Sequence, residues 1–335
     1  TDLGLEVSVL DSRLSLSLDL YYRKTTDLLM NVDIPTITGF SNAMQNIGKM
    51  RNKGLEITVT GIPFKKEQFT WEATGNISVN RNKVLALGPT GDPIFSDGGA
   101  GTTHITMIGE PIGSFYGYKM TGIFKTKEEL DNYPHFADTQ VGDVMFEDVN
   151  GDKVIDADDR TIIGNNMPDF TWGMTHTFIL KNFDASFSLQ GVVGNDVLHL
   201  GRRFYTQGEG NQNQLREMLG RWQSEENPGT GWIPRANSQP TGQNNAISSR
   251  WVESGSFLRV NNLTIGYTLP DVISKKCGMQ RARIYVSTQN LLTISNYSGY
   301  NPETSFKEDN VTASGTDYGM YPLYRTCTFG INVTF

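Results

Sequence analysis

The sequence predicts an all-β chain: about nine strands of a transmembrane, antiparallel, up-and-down β-barrel with long extracellular loops. Three observations carry that expectation. Apolar and polar residues alternate with period two in run after run. Tight and long connections between the runs alternate without exception, as they do in barrels that cross an outer membrane. The chain closes on an amphipathic run with an aromatic end, Phe329-Gly330-Ile331-Asn332-Val333-Thr334-Phe335.

The first run, 2–10, sets Leu3, Leu5, Val7 and Val9 against polar neighbours. The second, 14–30, interleaves Leu14, Leu16, Leu18 and Leu20 with Ser15, Ser17 and Asp19. In the third, 51–62, Leu55, Ile57 and Val59 alternate with Glu56, Thr58 and Thr60. The fourth, 69–81, puts Phe69, Trp71, Ala73, Ile77 and Val79 on one face. Thr70, Glu72, Thr74, Asn76 and Ser78 take the other. Runs at 170–181 and 183–193 follow. The second of these sets Phe183, Ala185, Phe187, Leu189 and Val193 against Asp184, Ser186, Ser188 and Gln190. The last three runs cover 256–269, 281–292 and 322–335. Successive side chains of a strand point to opposite faces, so each run has one apolar and one polar face.

The connections are short at 11–13, long at 31–50, short at 63–68 and very long at 82–169. They continue short at 181–182, very long at 194–255, moderate at 270–280 and long at 293–321. Alternate connections of an up-and-down sheet lie at opposite ends. The tight turns therefore gather at a periplasmic end and the long loops at an external one. A soluble β-sandwich also alternates its connections, but it does not call for strands this long. A final strand running down to the periplasm makes the first strand run down from outside. Nine such strands do not complete a bacterial barrel, which uses an even number. The bare edge of the first strand is then expected to pair with strands preceding it, because lipid cannot satisfy an open sheet edge. Thr1-Asp2-Leu3 is neither an initiator nor a signal sequence. Residues 1–335 are thus expected to be the C-terminal part of a longer protein, with first strands and an N-terminal plug outside it.

Composition narrows the classes further. Only 37% of the 335 residues are hydrophobic and no run approaches a helical span, which excludes transmembrane helices. With 29 Lys and Arg against 36 Asp and Glu, the net charge of −7 points to no nucleic acid and no anionic surface as partner. Thirty-five glycines favour turns and strands. Two cysteines, Cys277 in a periplasmic turn and Cys327 well along the last strand, lie too far apart for a bridge and are expected to be free.

Asp148, Asn150, Asp152, Asp156 and Asp159 fall at the offsets of a calcium loop, where alternate oxygens wrap a hard cation. Lys153 stands where such loops use glycine, and Asp159 replaces a longer Glu. The other reading is an acidic turn held by its own side-chain-to-backbone bonds. If present, the calcium is structural. His104, His135, His176 and His199 share no metal spacing, and no nucleophile or phosphate motif occurs, so the chain does not read as an enzyme. His176 lies in a strand, as a lumen or packing residue. The long loops carry aromatic residues among amides and carboxylates, a mix that suits sugars. Tyr205, Trp222, Trp232 and Tyr300 are the candidates for substrate contact, against a packing role for most loop aromatics. Phe69, Phe183 and Phe335 are expected at the inner membrane interface and Tyr21 and Tyr22 near the outer one.

Several segments together carry a resemblance. Asn46-Ile47-Gly48 with Asn52-Lys53-Gly54-Leu55-Glu56, and Gly142-Asp143 through Asp152, are two of them. Pro168-Asp169-Phe170, Phe257-Leu258-Arg259-Val260-Asn261-Asn262, Gly266-Tyr267 and Leu269-Pro270 follow. Gln289-Asn290-Leu291-Leu292, Tyr300-Asn301-Pro302-Glu303 and Tyr321-Pro322 complete the set. With these the chain resembles the C-terminal barrel half of SusC/RagA-type TonB-dependent transporters of the Bacteroidetes. Lys153 departs from the family pattern, which has glycine there. The resemblance implies a barrel of about 22 strands in the outer membrane, occluded by a plug. It also implies a SusD-like lipoprotein capping the mouth, energy from the TonB complex, and Phe335 as an assembly signal.

The function expected on this footing is active import of a nutrient, an oligosaccharide in the first place, with a peptide as the alternative cargo. A secreted sugar-binding β protein and a passive porin are the competing classes.

Overall fold

A computed structural model describes residues 1–33, 37, 39, 42–88, 90–306 and 310–335. Its main feature is a nine-stranded antiparallel sheet whose spatial order follows the sequence. The strands are β1 (Asp2–Val9), β2 (Leu14–Asp33), β3 (Asn42–Lys66), β4 (Phe69–Ala86) and β5 (Phe170–Leu180). Then come β6 (Phe183–Val193), β7 (Phe257–Thr268), β8 (Arg281–Ser295) and β9 (Thr326–Thr334). All nine expected runs are present. The expected connection 31–50 is the main boundary that shifts, because β2 and β3 pair as far as Asp33 opposite Asn42. Part of the stretch between them lies outside the described residues. No helix among the described residues is long and apolar enough to cross a membrane.

Register makes one face a continuous apolar band. Leu5 lies opposite Leu18, Leu18 opposite Ile57, and Ile57 opposite Ile77. The band continues through Trp172 and Met174 to Leu189, then through Ile265 and Val286 to Phe329. These side chains are not covered by other parts of the chain: Leu3, Leu5, Ile265, Phe329 and Ile331 are all exposed, Phe329 at 77%. A water-soluble protein rarely leaves so large an apolar patch bare, whereas a bilayer covers it. Rings gather toward the tight-turn end of this face. Trp71 stacks between Phe64 and Phe178 at centroid distances of 6.1 and 5.8 Å, and Phe183 meets Tyr267 at 4.5 Å. They form an interfacial girdle. His176 belongs to it as a packing residue, accepting from Trp71 Nε1 at 3.2 Å and lying 5.0 Å from the Phe187 ring.

Tyr21 corrects the expected outer girdle. It pairs with Gly54 in the register that carries Asp19 and Glu56, and therefore points to the polar face, while Tyr22 stays on the apolar one. Two adjacent strand residues cannot share a face. Glycine makes room for such rings. Tyr21, Trp172 and Tyr285 lie directly opposite Gly54, Gly191 and Gly330, and each ring occupies the space a Cβ would need.

One bulge positions the site. Along β7, Thr264 and Asn262 face the polar side with Ser186 and Ser188, but the register skips Asn261, so Arg259 pairs with Gln190 instead. A one-residue insertion flips every later side chain to the other face. Arg259 and Phe257 thereby turn inward and Leu258 and Val260 outward. Asn290 of β8 faces this bulge in the left-handed conformation, φ 51°.

The tight ends are short. Leu10, Asp11 and Ser12 turn β1 into β2 with φ of 55°, 53° and 61°, and Lys181 does so at 52° between β5 and β6. The β7–β8 turn holds helix α1 (Asp271–Lys276). At the other end the long connections fold together rather than extend as loose loops. They contain a four-stranded, a three-stranded and a two-stranded sheet. Two apolar clusters fill them: Phe115, Leu198, Leu200, Ile247 and Trp251 in one, Met120, Ile123, Val144, Phe146 and Ile155 in the other. The largest fully buried side chains, Trp251, Phe115, Phe124 and Phe146 among them, all belong to this loop region. The wall has lipid for its core; the loops build a protein core of their own.

Candidate functional site

The polar face of the sheet is the lumen wall, and its side chains are tied into ladders. Thr60 and Thr74 hydroxyls meet at 3.2 Å, Thr264 and Ser287 at 2.8 Å, and Asn82 donates to Asn52 at 2.9 Å. Arg283 Nε donates to Asp184 Oδ1 at 2.9 Å. Asp19 and Glu56 stand directly opposite each other, two carboxylates on one face. Like charges so placed repel. They border a cleft of about 690 Å³ shared with Tyr21, Asn52 and Asn80. Thr58, Asn76, Ser186 and Gln190, the polar-face residues of their runs, share this face by register.

At the outer rim two of the quoted motifs meet. The Arg259 guanidinium pairs with Glu303, donates to Asn301 Oδ1 at 3.0 Å and to Thr293 Oγ1 at 3.0 Å, and stacks 4.6 Å over Phe257. Gln190 adds a bond to Glu303 at 3.2 Å. The segment Asn301–Glu303 is thereby fastened to the wall, and the cleft beside it, about 220 Å³, is lined by Tyr300, Asn290, Arg259 and Arg325.

Above the rim two buried charge networks join the loops. Asp143, fully buried, accepts from Arg235 Nε at 2.8 Å, Asn244 Nδ2 at 2.9 Å, Thr241 Oγ1 at 3.0 Å and the Gln140 amide at 2.8 Å. Glu253 accepts from Ser298 Oγ at 2.8 Å, the Ser298 amide at 2.8 Å, Arg202 at 3.0 Å and His199 Nδ1 at 3.3 Å. Burial alone would raise the Glu253 carboxyl, but the bonds from His199 and Ser298, with the Arg202 charge, hold it down at about 2. Tyr297, beside His199, is pushed far up by burial and by its 2.6 Å bond to Asp317.

The candidate aromatics do not form one platform. Trp222 packs against the cluster of Phe146 and Val144, with Nε1 bonded to the Lys125 carbonyl at 3.1 Å. It is a packing residue here. Tyr205, Trp232 and Tyr300 are exposed, Tyr300 at the rim cleft just described. Of the histidines, His104 is buried against Thr103 and the Ser314 carbonyl, and His135 bonds the Tyr133 carbonyl. Cys277 and Cys327 are free, as expected.

The acidic loop closes on its own amides. Asp148 accepts from Gly151 at 2.7 Å and Lys153 at 2.9 Å, Asn150 from Asp152 at 2.9 Å, and Asp152 from Val154 at 2.8 Å. Asp159, fully buried, accepts from Val149 at 2.8 Å and Asp156 at 2.9 Å, while Asp156 accepts from Asp158 at 2.8 Å. Lys153 takes φ 71°, the left-handed conformation that glycine would adopt at lower cost. Among the described residues no three His, Cys, Asp or Glu side chains converge on a metal position.

Sequence reasoning missed the Asp143 and Glu253 networks and the bulge at Asn261. The motifs Gly142-Asp143 and Phe257-Leu258-Arg259 were visible, but their partners lie about a hundred and about forty residues away.

Comparison with known proteins gives a consistent set. The family model described as "TonB dependent receptor-like, beta-barrel" matches residues 1–291. TonB-dependent receptor P3 of Formosa agariphila is 39% identical over the whole chain, and TonB-dependent receptor SusC of Bacteroides thetaiotaomicron is 30% identical over 99% of it. The chain spans about a third of these relatives, 34% and 31% of their lengths. A solved structure titled as the RagAB peptide transporter superimposes with a TM-score of 0.82 at 26% identity, covering all of this chain and 35% of that one.

Proposed function

The chain belongs to the TonB-dependent receptor-like β-barrel family, of the SusC/RagA type, and lies in the outer membrane. From that premise we propose that the whole protein actively imports a nutrient, an oligosaccharide, together with a SusD-like surface lipoprotein and with energy from the TonB complex. The observation that carries this reading is the two-faced sheet: an unbroken apolar band outside, hydrogen-bonded polar ladders inside, and a folded loop region fastened to the rim through Arg259. Such a wall is fitted to form one side of a polar path through the membrane. The strands bound the path, the loops above contact cargo and lipoprotein, and a plug outside this chain opens it. Exposed rings among amides, Tyr300 beside Asn290 and Asn301, support a sugar as cargo.

Import of labelled oligosaccharides by cells carrying the full-length gene tests the proposal. Uptake should vanish on deleting the gene or on dissipating the energy that TonB transmits. Uptake that persists without TonB identifies a passive porin instead. Peptide cargo is the second reading, favoured by the likeness to the RagAB peptide transporter. Competition between unlabelled oligosaccharides and peptides separates the two.

Two smaller proposals accompany this one. Phe335, exposed at the end of β9 on the parity of Phe329 and Ile331, serves as the assembly signal. Calcium is a structural ligand of loop 148–159. The ligand offsets and the left-handed Lys153 support it, and binding would draw Asp148, Asp152 and Asp156 together while they share their oxygens with backbone amides.

A further inference from the structure

On β2, β3 and β4 the apolar face ends, toward the long loops, in a row formed by Leu20, Leu55 and Val79. The two rows beyond it keep the same outward parity but are cationic. Tyr22 lies opposite Lys53, and Lys53 opposite Arg81. In the next row Lys24 lies opposite Arg51, and Arg51 opposite Lys83. Lysine and arginine thus fill a block two rows deep on three neighbouring strands, on the face turned away from the lumen. The net charge of −7 averages over the whole chain and hides this block.

The block has little countercharge. Arg81 pairs with Asp169 at 3.0 Å. Lys24, Arg51, Lys53 and Lys83 form no ion pair among the described residues. Asp19 and Glu56 take the opposite face, and Asp27, past the irregular register after Thr25, accepts from Thr26 Oγ1 at 3.2 Å. Like charges directly opposite one another destabilise a sheet. A wall that sets Arg51 between two lysines on one face therefore calls for an anion from outside the chain.

Depth identifies the source of that anion. Trp71 marks the girdle at the tight-turn end, and Arg81 lies ten positions further along β4. Ten residues of strand span about 33 Å, which a tilt of about 40° reduces to about 25 Å of height. The apolar band of such a barrel is about 25 Å tall. The block therefore sits at the headgroup level of the outer leaflet, with Tyr22 as the interfacial ring of its first row. An outward-facing side chain at that depth meets lipid, and in a bacterial outer membrane that leaflet is built of phosphorylated glycolipid. A phosphate suits the block, because its oxygens accept from several cations at once and match the two-pronged donor of a guanidinium.

We propose that this block binds a phosphate-bearing glycolipid of the outer leaflet, with Arg51, Lys24, Lys53 and Lys83 on its headgroup phosphate. The acyl chains of the lipid then run down the apolar rows that begin at Leu20, Leu55 and Val79. The site lies on the outside of the wall and is independent of the cargo.

The test uses the full-length protein in detergent. Monophosphoryl lipid A is the probe, its phosphate-free form the control, and native mass spectrometry the readout. Wild type should retain lipid A and release the phosphate-free form. Arg51→Gln/Lys83→Gln should weaken retention about tenfold or more, whereas Lys65→Gln/Lys66→Gln at the tight-turn end should leave it unchanged. Without lipid A the first variant should melt no lower than wild type, because it removes cations that repel each other; a lower melting temperature would make them structural and overturn the proposal. Should that variant fail to assemble, the exposed Lys53→Gln gives the same reading with a smaller loss. Equal retention of lipid A by wild type and both variants of the block, or equal retention of the phosphate-free form, overturns the site. Full displacement of lipid A by millimolar inorganic phosphate would mark a free-anion site and overturn the lipid assignment.

Discussion

Arg235 and Asp143 meet at 2.8 Å, Nε to Oδ1, where the carboxylate is fully buried and the two residues come from different long loops. The contact makes the loops one folded body instead of separate arms. Removing one partner leaves the other charge buried and unpaired, which costs about 3–5 kcal/mol. Asp143→Ala should therefore strip amide-exchange protection from Met120–Ile123 and Val144–Phe146 while the nine-stranded sheet keeps its own. Equal protection in variant and wild type would show that the apolar clusters hold the loops alone.

Glu253 gives the loops an acid limit. Its carboxyl is held at about 2 in the folded protein, below the ordinary value of 4.5. A depressed carboxyl contributes stability that is complete above the unfolded value and is lost as pH falls toward the folded one. Loop protection should thus hold at pH 5 and decline between about 4.5 and 2. Glu253→Gln should lower protection at neutral pH and flatten that decline, as read by proteolysis of the loops across the same range.

Glycine and ring are matched differently at two places. A Cβ at Gly330 meets only the Tyr285 ring among its nearest atoms, whereas at Gly54 it meets both the Tyr21 ring and the Val79 carbonyl. Gly330→Ala should impair barrel assembly and be rescued by adding Tyr285→Ala. Gly54→Ala should impair it too, but Tyr21→Ala should not rescue it, because the carbonyl stays. Heat-modifiable mobility of the full-length protein on gels reads both.

Calcium at 148–159 is tested by melting the full-length protein with excess cation and with a chelator. A site filled a hundredfold above its Kd stabilises by about 2.7 kcal/mol, so the chelator should lower the melting temperature of the loops. Asp152→Asn should remove the difference. Identical melting in both conditions would leave the loop to its amide bonds.

What could be read from the sequence follows physical range. The strands were legible because burial on one face imposes period two within a few residues, as in Leu55, Ile57 and Val59. The start of β3 was not, since Lys49, Arg51, Asn52 and Lys53 crowd polar residues onto both parities and leave no apolar face to read. Tyr21 was misplaced because residue type was read ahead of parity: the alternation of Leu14 to Leu20 with Asp19 already puts it on the polar face. The bulge at Asn261 is visible only from the partner strands. The loops defied reading for a similar reason: Trp222 looked like a sugar platform, yet it packs against a cluster built from residues about seventy to a hundred positions away. The Asp143 motif could be seen, while Arg235, Thr241 and Asn244, which explain it, could not.

The central claim is that this sheet is a membrane wall with lipid on one face and an aqueous lumen on the other. Spin labels placed singly at Leu55, Glu56, Ile57, Thr58, Val59 and Thr60 of the full-length protein in bilayers test it most directly. Collision rates with oxygen should peak at 55, 57 and 59, and those with a water-soluble nickel chelate at 56, 58 and 60. Accessibility to the chelate at all six positions, with no alternation, would contradict the account.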